Sequence, residues 1–128
     1  MKLKIYEDKY GNPTLEYKSN EYYLKYREVY SRQKASKLHY NSLNYSINEL
    51  VNDISKILND YGDYNVDFVI FDGILLENND ENINQRVHVG LNEQYDNLNE
   101  LYEHLVITKN LMNDTRIDHF CIRLKKIL

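Results

Sequence analysis

The 128-residue sequence contains one cysteine, one proline, four glycines and no tryptophan, and these scarcities exclude several kinds of protein. Because Cys121 is the single cysteine, no disulfide can form within the chain, which is typical of a reducing compartment. Four glycines cannot build either a phosphate loop or a G-x-G-x-x-G dinucleotide motif. No segment approaches the roughly 18 apolar residues of a membrane span, and the first ten residues lack the core of a signal peptide. We therefore expect a cytoplasmic protein without a membrane partner.

The composition is otherwise that of a globular protein. Hydrophobic residues make up 42% and charged residues 28% of the chain, and its length fits one domain spanning residues 1–128. Tyrosine occurs 13 times, and asparagine, lysine and isoleucine are abundant. This usage is typical of an AT-rich genome, so we expect the chain to come from a low-GC bacterium or one of its phages.

Charge is distributed unevenly along the chain. Residues 1–45 hold nine basic and five acidic residues, whereas residues 46–115 hold three basic and fourteen acidic residues. The net charge of the whole chain is -4. The asymmetry predicts one basic and one acidic face if the two segments are separated in space.

Hydrophobic periodicity predicts the secondary structure. Ser46 and Glu49 form a capping box ahead of an apolar stripe of helical period, and Gly62 provides a stop. Residues 22–30 fit either a strand or a helix, and their tyrosines favour the strand. The Asp72–Gly73 pair between apolar runs predicts a hairpin turn. The predicted elements are strands 2–6, 14–18, 22–30 and 36–40, helix 46–61, strand 66–71 pairing with 74–77, an acidic loop 78–85, strand 86–91, helix 93–112 capped by Asn92, and strand 117–127.

This order of elements predicts an α+β fold. We expect a single domain with a mostly antiparallel sheet, an N-terminal β-meander, and the helices at about 46–61 and 93–112 packed on one face.

No arrangement of residues satisfies the spacing of a known catalytic or metal site. Cys121 lies in an alternating apolar strand and is expected to be a buried hydrophobe, although His119 shares its face. The histidines fit no zinc signature. Asp67 and Asp72 flank a buried strand but are better explained as turn and cap residues. We expect no enzymatic activity, no metal and no cofactor.

A basic, tyrosine-rich segment at residues 21–40 is the candidate contact surface. Tyrosine and arginine commonly supply the binding energy of protein interfaces, which favours a stoichiometric binding protein. We expect a phage or mobile-element inhibitor of a host protein or defence complex, with nucleic-acid-processing enzymes as a candidate class of target. The acidic loop 78–85 is a second candidate, because it can partly mimic the charge of DNA. The contact residues we predict are Tyr22, Tyr26, Arg27, Tyr30 and Arg32.

Four alternatives remain open. The basic, tyrosine-rich segment can also be explained as the solvent-facing side of a sheet, in which tyrosine packs where other proteins use phenylalanine. Arg27, Arg86 and Arg116 could bind a nucleotide-like ligand, with stacking tyrosines and a homo-oligomer as the setting. Direct nucleic-acid binding fits the segment's composition, but it fits the chain's sequence pI near 5.5 poorly. A small hydrolase or nuclease would depend on Asp67 or Asp72.

Overall fold

A six-stranded sheet organises the part of the chain that the structure describes. The structure is a computed structural model, and it describes residues 1–20, 34–75, 83–88 and 94–127. Every strand pair is antiparallel, and the strand order is β1-β2-β6-β4-β5-β3. The strands are β1 (Lys4–Glu7), β2 (Pro13–Lys18), β3 (Lys34–Ser36), β4 (Tyr64–Leu75), β5 (Ile83–His88) and β6 (Thr115–Lys126). The helices are α1 (Lys37–Ser42), α2 (Ile47–Ser55) and α3 (Leu98–Leu111), and a 3-10 turn lies at Asn59–Tyr61.

The two longest strands, β4 and β6, form the centre of the sheet. Phe71 pairs with Phe120 across them, and their rings meet edge to face with centroids 6.1 Å apart. On the other side of β6, Leu15 of β2 lies opposite Ile122. These apolar residues recur at every second position, so the pleat places them on one face of the sheet.

Both long helices cover that face. Ser46 caps α2 by accepting a 3.2 Å hydrogen bond from the Glu49 backbone N–H, as the capping box predicts. The buried side chains of the two helices join those of the sheet in one core; they include Ile47, Leu50, Val51, Ile54, Leu98, Leu101, Leu105, Phe120, Ile122 and Leu124. Each such side chain contributes roughly 1.5–3 kcal/mol on burial. The predicted α+β fold, with two helices on one face of an antiparallel sheet, is confirmed.

The second long helix begins later than the sequence pattern predicted. Asn97, not Asn92, caps α3, and its side chain accepts a 2.9 Å hydrogen bond from the Glu100 backbone N–H. Tyr95 instead forms a bridge with Val66, with both N–H···O distances at 2.9 Å. This bridge keeps the chain extended up to the cap. The first helix is also shorter than 46–61, because α2 ends at Ser55 and a 3-10 turn follows.

The predicted hairpin turn at Asp72 and Gly73 is wrong. β4 continues through both residues to Leu75, and the register against β6 shifts between them, as in a β-bulge. An added Cβ on Gly73 would lie 2.9 Å from the Arg116 carbonyl oxygen and from Thr115 Cγ2. Glycine is therefore required here for close approach of two strands and not for a turn.

Three other predicted elements differ in part. The predicted strand 36–40 is helical from Lys37, which brings Tyr40 against Leu43 and Ile74 in a small second core. The end of the predicted loop 78–85 is wrong, because residues 83–85 belong to β5 and pair with β3, and Gln85 also pairs with β4. The predicted strand 86–91 is found as far as its residues are described, to His88.

The third strand of the predicted meander, residues 22–30, lies outside the described residues, as do residues 78–82 of the acidic loop. The first two strands of the meander are found, and they form the β1–β2 hairpin. Among the helices of the described ranges, none is both long and apolar enough to cross a membrane.

Candidate protein-binding surface

α3 carries apolar side chains on both of its faces. Leu101 and Leu105 point into the core and are fully buried. On the outer side, Ile107 is 58% exposed and Leu111 is 77% exposed. These two residues are four positions apart, so their side chains are neighbours on one helix face. Among the helix and strand residues whose exposure the structure describes, they are the two most exposed large apolar side chains.

Acidic residues surround this exposed apolar pair. Glu100, Glu103 and Asp114 are all exposed on α3 and the turn that follows it. We call residues 46–63 and 94–114, which comprise both long helices and their flanking turns, the helical layer. It contains eight acidic residues and two lysines, and all of the acids except Asp53 are exposed. The outer side of the helices is therefore strongly anionic.

Asp53 is the one buried acid of the helical layer, and its carboxylate accepts hydrogen bonds from neighbouring groups. It accepts a 2.6 Å hydrogen bond from the Tyr45 hydroxyl, and the Lys2 backbone N–H lies 3.4 Å from the same carboxylate oxygen. Burial, and then the nearby Asp53 carboxylate, raise the pKa of Tyr45 above its ordinary value, so this hydroxyl stays protonated and keeps donating.

The basic residues of the described chain lie mainly on the strands. Arg123, Lys125 and Lys126 are exposed at the end of β6, and Lys2, Lys4, Lys9 and Lys18 lie on or beside the β1–β2 hairpin. Arg123 contacts Asp67 at 3.4 Å and lies over the Phe68 ring. The helical layer is therefore anionic, whereas a cluster of exposed cations lies at the end of β6 and the β1–β2 hairpin carries charges of both signs.

None of the five predicted contact residues is within the described part of the chain. Tyr22, Tyr26, Arg27, Tyr30 and Arg32 all fall between residues 20 and 34, so their role remains a prediction. The pair Ile107 and Leu111 did not belong to the predicted contact surface. The signal that could have found them is present in the sequence, because both are apolar and neither lies on the helix face that carries Leu98, Leu101 and Leu105.

The backbone register brings two of the predicted ligand-binding arginines to one row of the sheet. Arg86 of β5 and Arg116 of β6 both lie opposite Ile74 of β4. The Arg116 guanidinium donates to the carbonyl oxygens of Tyr40 and Leu43, at 3.3 and 3.0 Å, and lies 4.4 Å from the centroid of the Tyr40 ring. Arg116 therefore anchors α1 to the sheet through Nη1, which gives this side chain a structural role.

The sheet face away from the helices contains a partly buried polar group centred on Glu16. His119 Nε2 lies 2.8 Å from Glu16 Oε2, and the Tyr6 hydroxyl donates to Glu16 Oε1 at 3.1 Å. Burial acts to raise the pKa of Glu16, but the hydrogen bonds from His119 and Tyr6 and the charge of Lys18 outweigh it, so the pKa is lowered. Glu16 is thus held as a carboxylate.

Cys121 lies beside this group and is buried, as predicted. Burial, the charge of Glu16 and a hydrogen bond to Glu16 raise the pKa of the thiol to about 12. Since the thiolate is the nucleophilic form, this environment disfavours thiol chemistry at neutral pH. His119 and Cys121 share a face, as the sequence indicated, but both have Glu16 as their neighbour.

The two aspartates of the nuclease alternative have different surroundings. Asp67 is paired with Arg123, and Asp72 is buried in β4 opposite His119. Within the described ranges, no group of three or more His, Cys, Asp or Glu side chains is arranged to hold a metal ion.

Comparison with known proteins found no relative of this chain. No protein-family model, no curated protein and no solved structure matches the chain.

Proposed function

We propose that the chain is a stoichiometric binding protein that docks through the outer face of α3 onto a basic surface of a partner protein. The observation that carries this proposal is the exposed pair Ile107 and Leu111, surrounded by Glu100, Glu103 and Asp114. A helix that presents apolar anchors four residues apart is the form in which helices dock into apolar grooves.

Physical considerations favour a protein as the partner over a nucleic acid. The anionic helical layer would repel phosphates, whereas an apolar pair gains its free energy by leaving water for a hydrophobic groove. The acidic rim would steer association with a basic partner and make it sensitive to salt. Basic grooves are common on nucleic-acid-processing enzymes, which makes such an enzyme the proposed target class.

The proposed biological setting follows from composition. The AT-rich residue usage is typical of a low-GC bacterium or its phages. In that setting a small acidic domain would act in the cytoplasm as a phage or mobile-element inhibitor, blocking a host enzyme or defence complex without catalysis. The segment that holds Tyr22, Tyr26, Arg27, Tyr30 and Arg32 is retained as a proposed second contact.

Affinity capture from a low-GC bacterial lysate tests the proposal. The wild-type chain is compared with a double variant, Ile107→Ser with Leu111→Ser, and with the control Tyr10→Ser. Tyr10 is 76% exposed but lies at the β1–β2 turn, away from α3. We expect one dominant protein to be captured by the wild type and by the control, and to be released by high salt.

The double variant should lose the partner, with affinity reduced roughly 100-fold for two central apolar anchors. Equal capture by the double variant would show that α3 is not the docking face. Recovery of nucleic acid without a protein would overturn the proposed function.

A further inference from the structure

The first strand, β1, lies at one edge of the sheet. It pairs with β2 on one side, and among the strands that the structure describes none pairs with its other side. All four of its residues, Lys4–Glu7, are exposed. An open strand edge presents backbone donors and acceptors that can pair with a further strand, so this edge is a candidate interface.

The register of the β1–β2 hairpin shows which backbone groups of β1 point outward. In an antiparallel pair, hydrogen-bonded and non-bonded residue pairs alternate. The Asp8 N–H donates to the Asn12 carbonyl at 2.9 Å, and this pair continues the register of the hairpin, so the even-numbered residues of β1 are bonded to β2. Ile5 and Glu7 therefore direct their N–H and C=O groups away from β2. The alternation also fits Pro13, which has no N–H and lies opposite Glu7, where no bond to β1 is needed.

A second copy of the same strand is complementary to these groups. When two copies of β1 run antiparallel about a two-fold axis at Tyr6, Ile5 of each copy lies opposite Glu7 of the other. Both residues direct their N–H and C=O groups toward the other copy, so each pair can exchange its backbone hydrogen bonds. The axis is perpendicular to the sheet, which keeps the helices of both copies on the same side. The contact is therefore self-complementary, as a closed dimer requires.

The charges of the hairpin agree with this register. Lys4 of one copy lies opposite Asp8 of the other, and opposite charges across two strands stabilise their pairing. A lysine on an edge strand ordinarily opposes pairing, but this register gives it an acidic partner. Asp8 Oδ1 accepts from the backbone N–H groups of Asn12 and Tyr10, both at 2.8 Å. These bonds, chiefly that from Asn12, lower the pKa of Asp8, so the carboxylate is ionised.

Apolar surface supports the same contact. Ile5 is 43% exposed and Tyr6 is 47% exposed, although both lie within a strand. Ile5 shares a face with Leu15, its fully buried partner on β2, so a strand added beside β1 would extend the covered apolar row. Tyr6 lies on the opposite face, next to its counterpart in the second copy. Pairing would therefore remove apolar surface from water on both faces of the sheet.

We propose that β1 pairs with β1 of a second copy of this chain, in a two-fold symmetric dimer with Tyr6 on the axis. The two sheets then continue into one. Because the contact is short, we expect a weak dimer, with a dissociation constant on the order of 10 μM. The proposal is independent of the proposed function, since α3 packs against β4, which is three strands away from this edge.

Sedimentation equilibrium tests the dimer and its charge pairs. The wild type should be monomeric at about 1 μM and mostly dimeric at about 500 μM, on either side of that constant. Lys4→Glu should weaken the dimer at least about tenfold, because repulsion replaces attraction at both symmetry-related pairs. Lys125→Glu is the matched control, since Lys125 is an exposed lysine of β6, two strands from the edge. A wild type that stays monomeric at the higher concentration, or equal effects of the two substitutions, would overturn the proposal.

Disulfide trapping tests the register. Opposite residues of two antiparallel strands have Cα atoms about 4.5–5.5 Å apart, within the range of about 4.4–6.8 Å that a disulfide bridges. Tyr6→Cys should therefore crosslink with itself, whereas Ile5→Cys and Glu7→Cys should crosslink mainly when the two chains are mixed. The wild type is the control, because its Cys121 is buried. Faster self-crosslinking of Ile5→Cys than of Tyr6→Cys would overturn the assignment, and capture of a partner through α3 would be unaffected.

Discussion

At the scale of single residues, the polar group around Glu16 is the clearest case of chemistry set by surroundings. Glu16 lies opposite Cys121 in the register of β2 and β6, and its oxygens receive hydrogen bonds from Tyr6 and His119. Burial, and then the charge of the same carboxylate, raise the pKa of the neighbouring Cys121 thiol. The protonation states of Glu16 and Cys121 are therefore linked through one contact.

Glu16 should make stability depend on pH in the acid range. Its pKa is lowered in the folded chain, so the unfolded chain binds the proton more readily. The stabilising contribution is complete above the ordinary carboxyl pKa of about 4.3 and is lost as the pH falls through the lowered value. Urea unfolding of wild type and Glu16→Gln measures this contribution. The series runs from about pH 3, within the range of about 3–5 where carboxyl groups titrate, to about pH 7, where they are ionised. The free-energy difference between the two chains should shrink toward low pH, and a constant difference would contradict this.

Gly73 provides a prediction about packing. Gly73→Ala should lower the free energy of unfolding by about 1–3 kcal/mol, because the new Cβ would meet backbone and side-chain atoms of β6 at 2.9 Å. Gly62→Ala is the matched control: Gly62 has a φ of -60° and nothing lies within 4 Å of an added Cβ. Its substitution should be neutral or stabilise by up to about 1 kcal/mol. Equal effects in denaturant unfolding would show that the bulge does not require glycine.

The sequence could not have distinguished these two glycines. An Asp-Gly pair between apolar runs is typical of a tight turn, and that pattern occurs at residues 72–73. What decides the structure is a neighbour that is 42 positions away in the chain, at Thr115 of β6. Local patterns carry no information about such close approaches, so the continuous 12-residue β4 was not predictable.

At the scale of the elements, helix α2 was predictable and the start of α3 was not. The Ser46–Glu49 capping box marks one clear beginning, and the structure uses it. Ahead of α3, both Asn92 and Asn97 could act as caps. The Tyr95–Val66 bridge, a contact between distant segments, excludes helix at Tyr95. The Asn97–Glu100 pair, three residues apart like a capping box, is the local signal that favoured the correct start.

The cap of α3 can be tested directly. Asn97→Ala should cost about 1 kcal/mol of stability, because the Glu100 backbone N–H loses its hydrogen-bond acceptor. Asn99→Ala is the control, since Asn99 is exposed in the first turn and alanine is the better helix former. The control should be neutral or slightly stabilising in chemical denaturation. If Asn97→Ala were equally neutral, the cap would not contribute to the helix.

At the scale of the whole molecule, charge separates by layer. In the described residues the helical layer is anionic and the end of β6 is cationic, whereas residues 1–20 hold four lysines and three acidic residues. The predicted asymmetry stays a prediction, because residues 21–33, which carry much of the basic charge of the N-terminal segment, lie outside the described residues. The sequence could predict the sign of each segment. It could not predict that the strongest apolar exposure would fall within the acidic layer, because that depends on which face of α3 packs on the sheet.

Charge reversal should therefore affect binding on one side of the molecule only. In the helical layer, Glu103→Lys with Asp114→Lys should reduce the association rate with the captured partner roughly tenfold at low salt. The control, Lys125→Glu with Lys126→Glu at the end of β6, should leave that rate within about twofold of wild type. Stopped-flow association at several salt concentrations measures both. A larger effect of the β6 pair would place the partner on the strands.

Photo-crosslinking tests the account's central claim, that α3 is the docking face, most directly. A photoreactive amino acid is placed at position 107, and separately at position 10, and each chain is illuminated in a low-GC bacterial lysate. Both positions are exposed, so the two chains differ in the face that carries the probe. The account predicts one protein crosslinked from position 107 and none from position 10. The claim would be contradicted by a protein crosslinked only from position 10 or by crosslinking to nucleic acid. The absence of any crosslink from position 107 would contradict it as well.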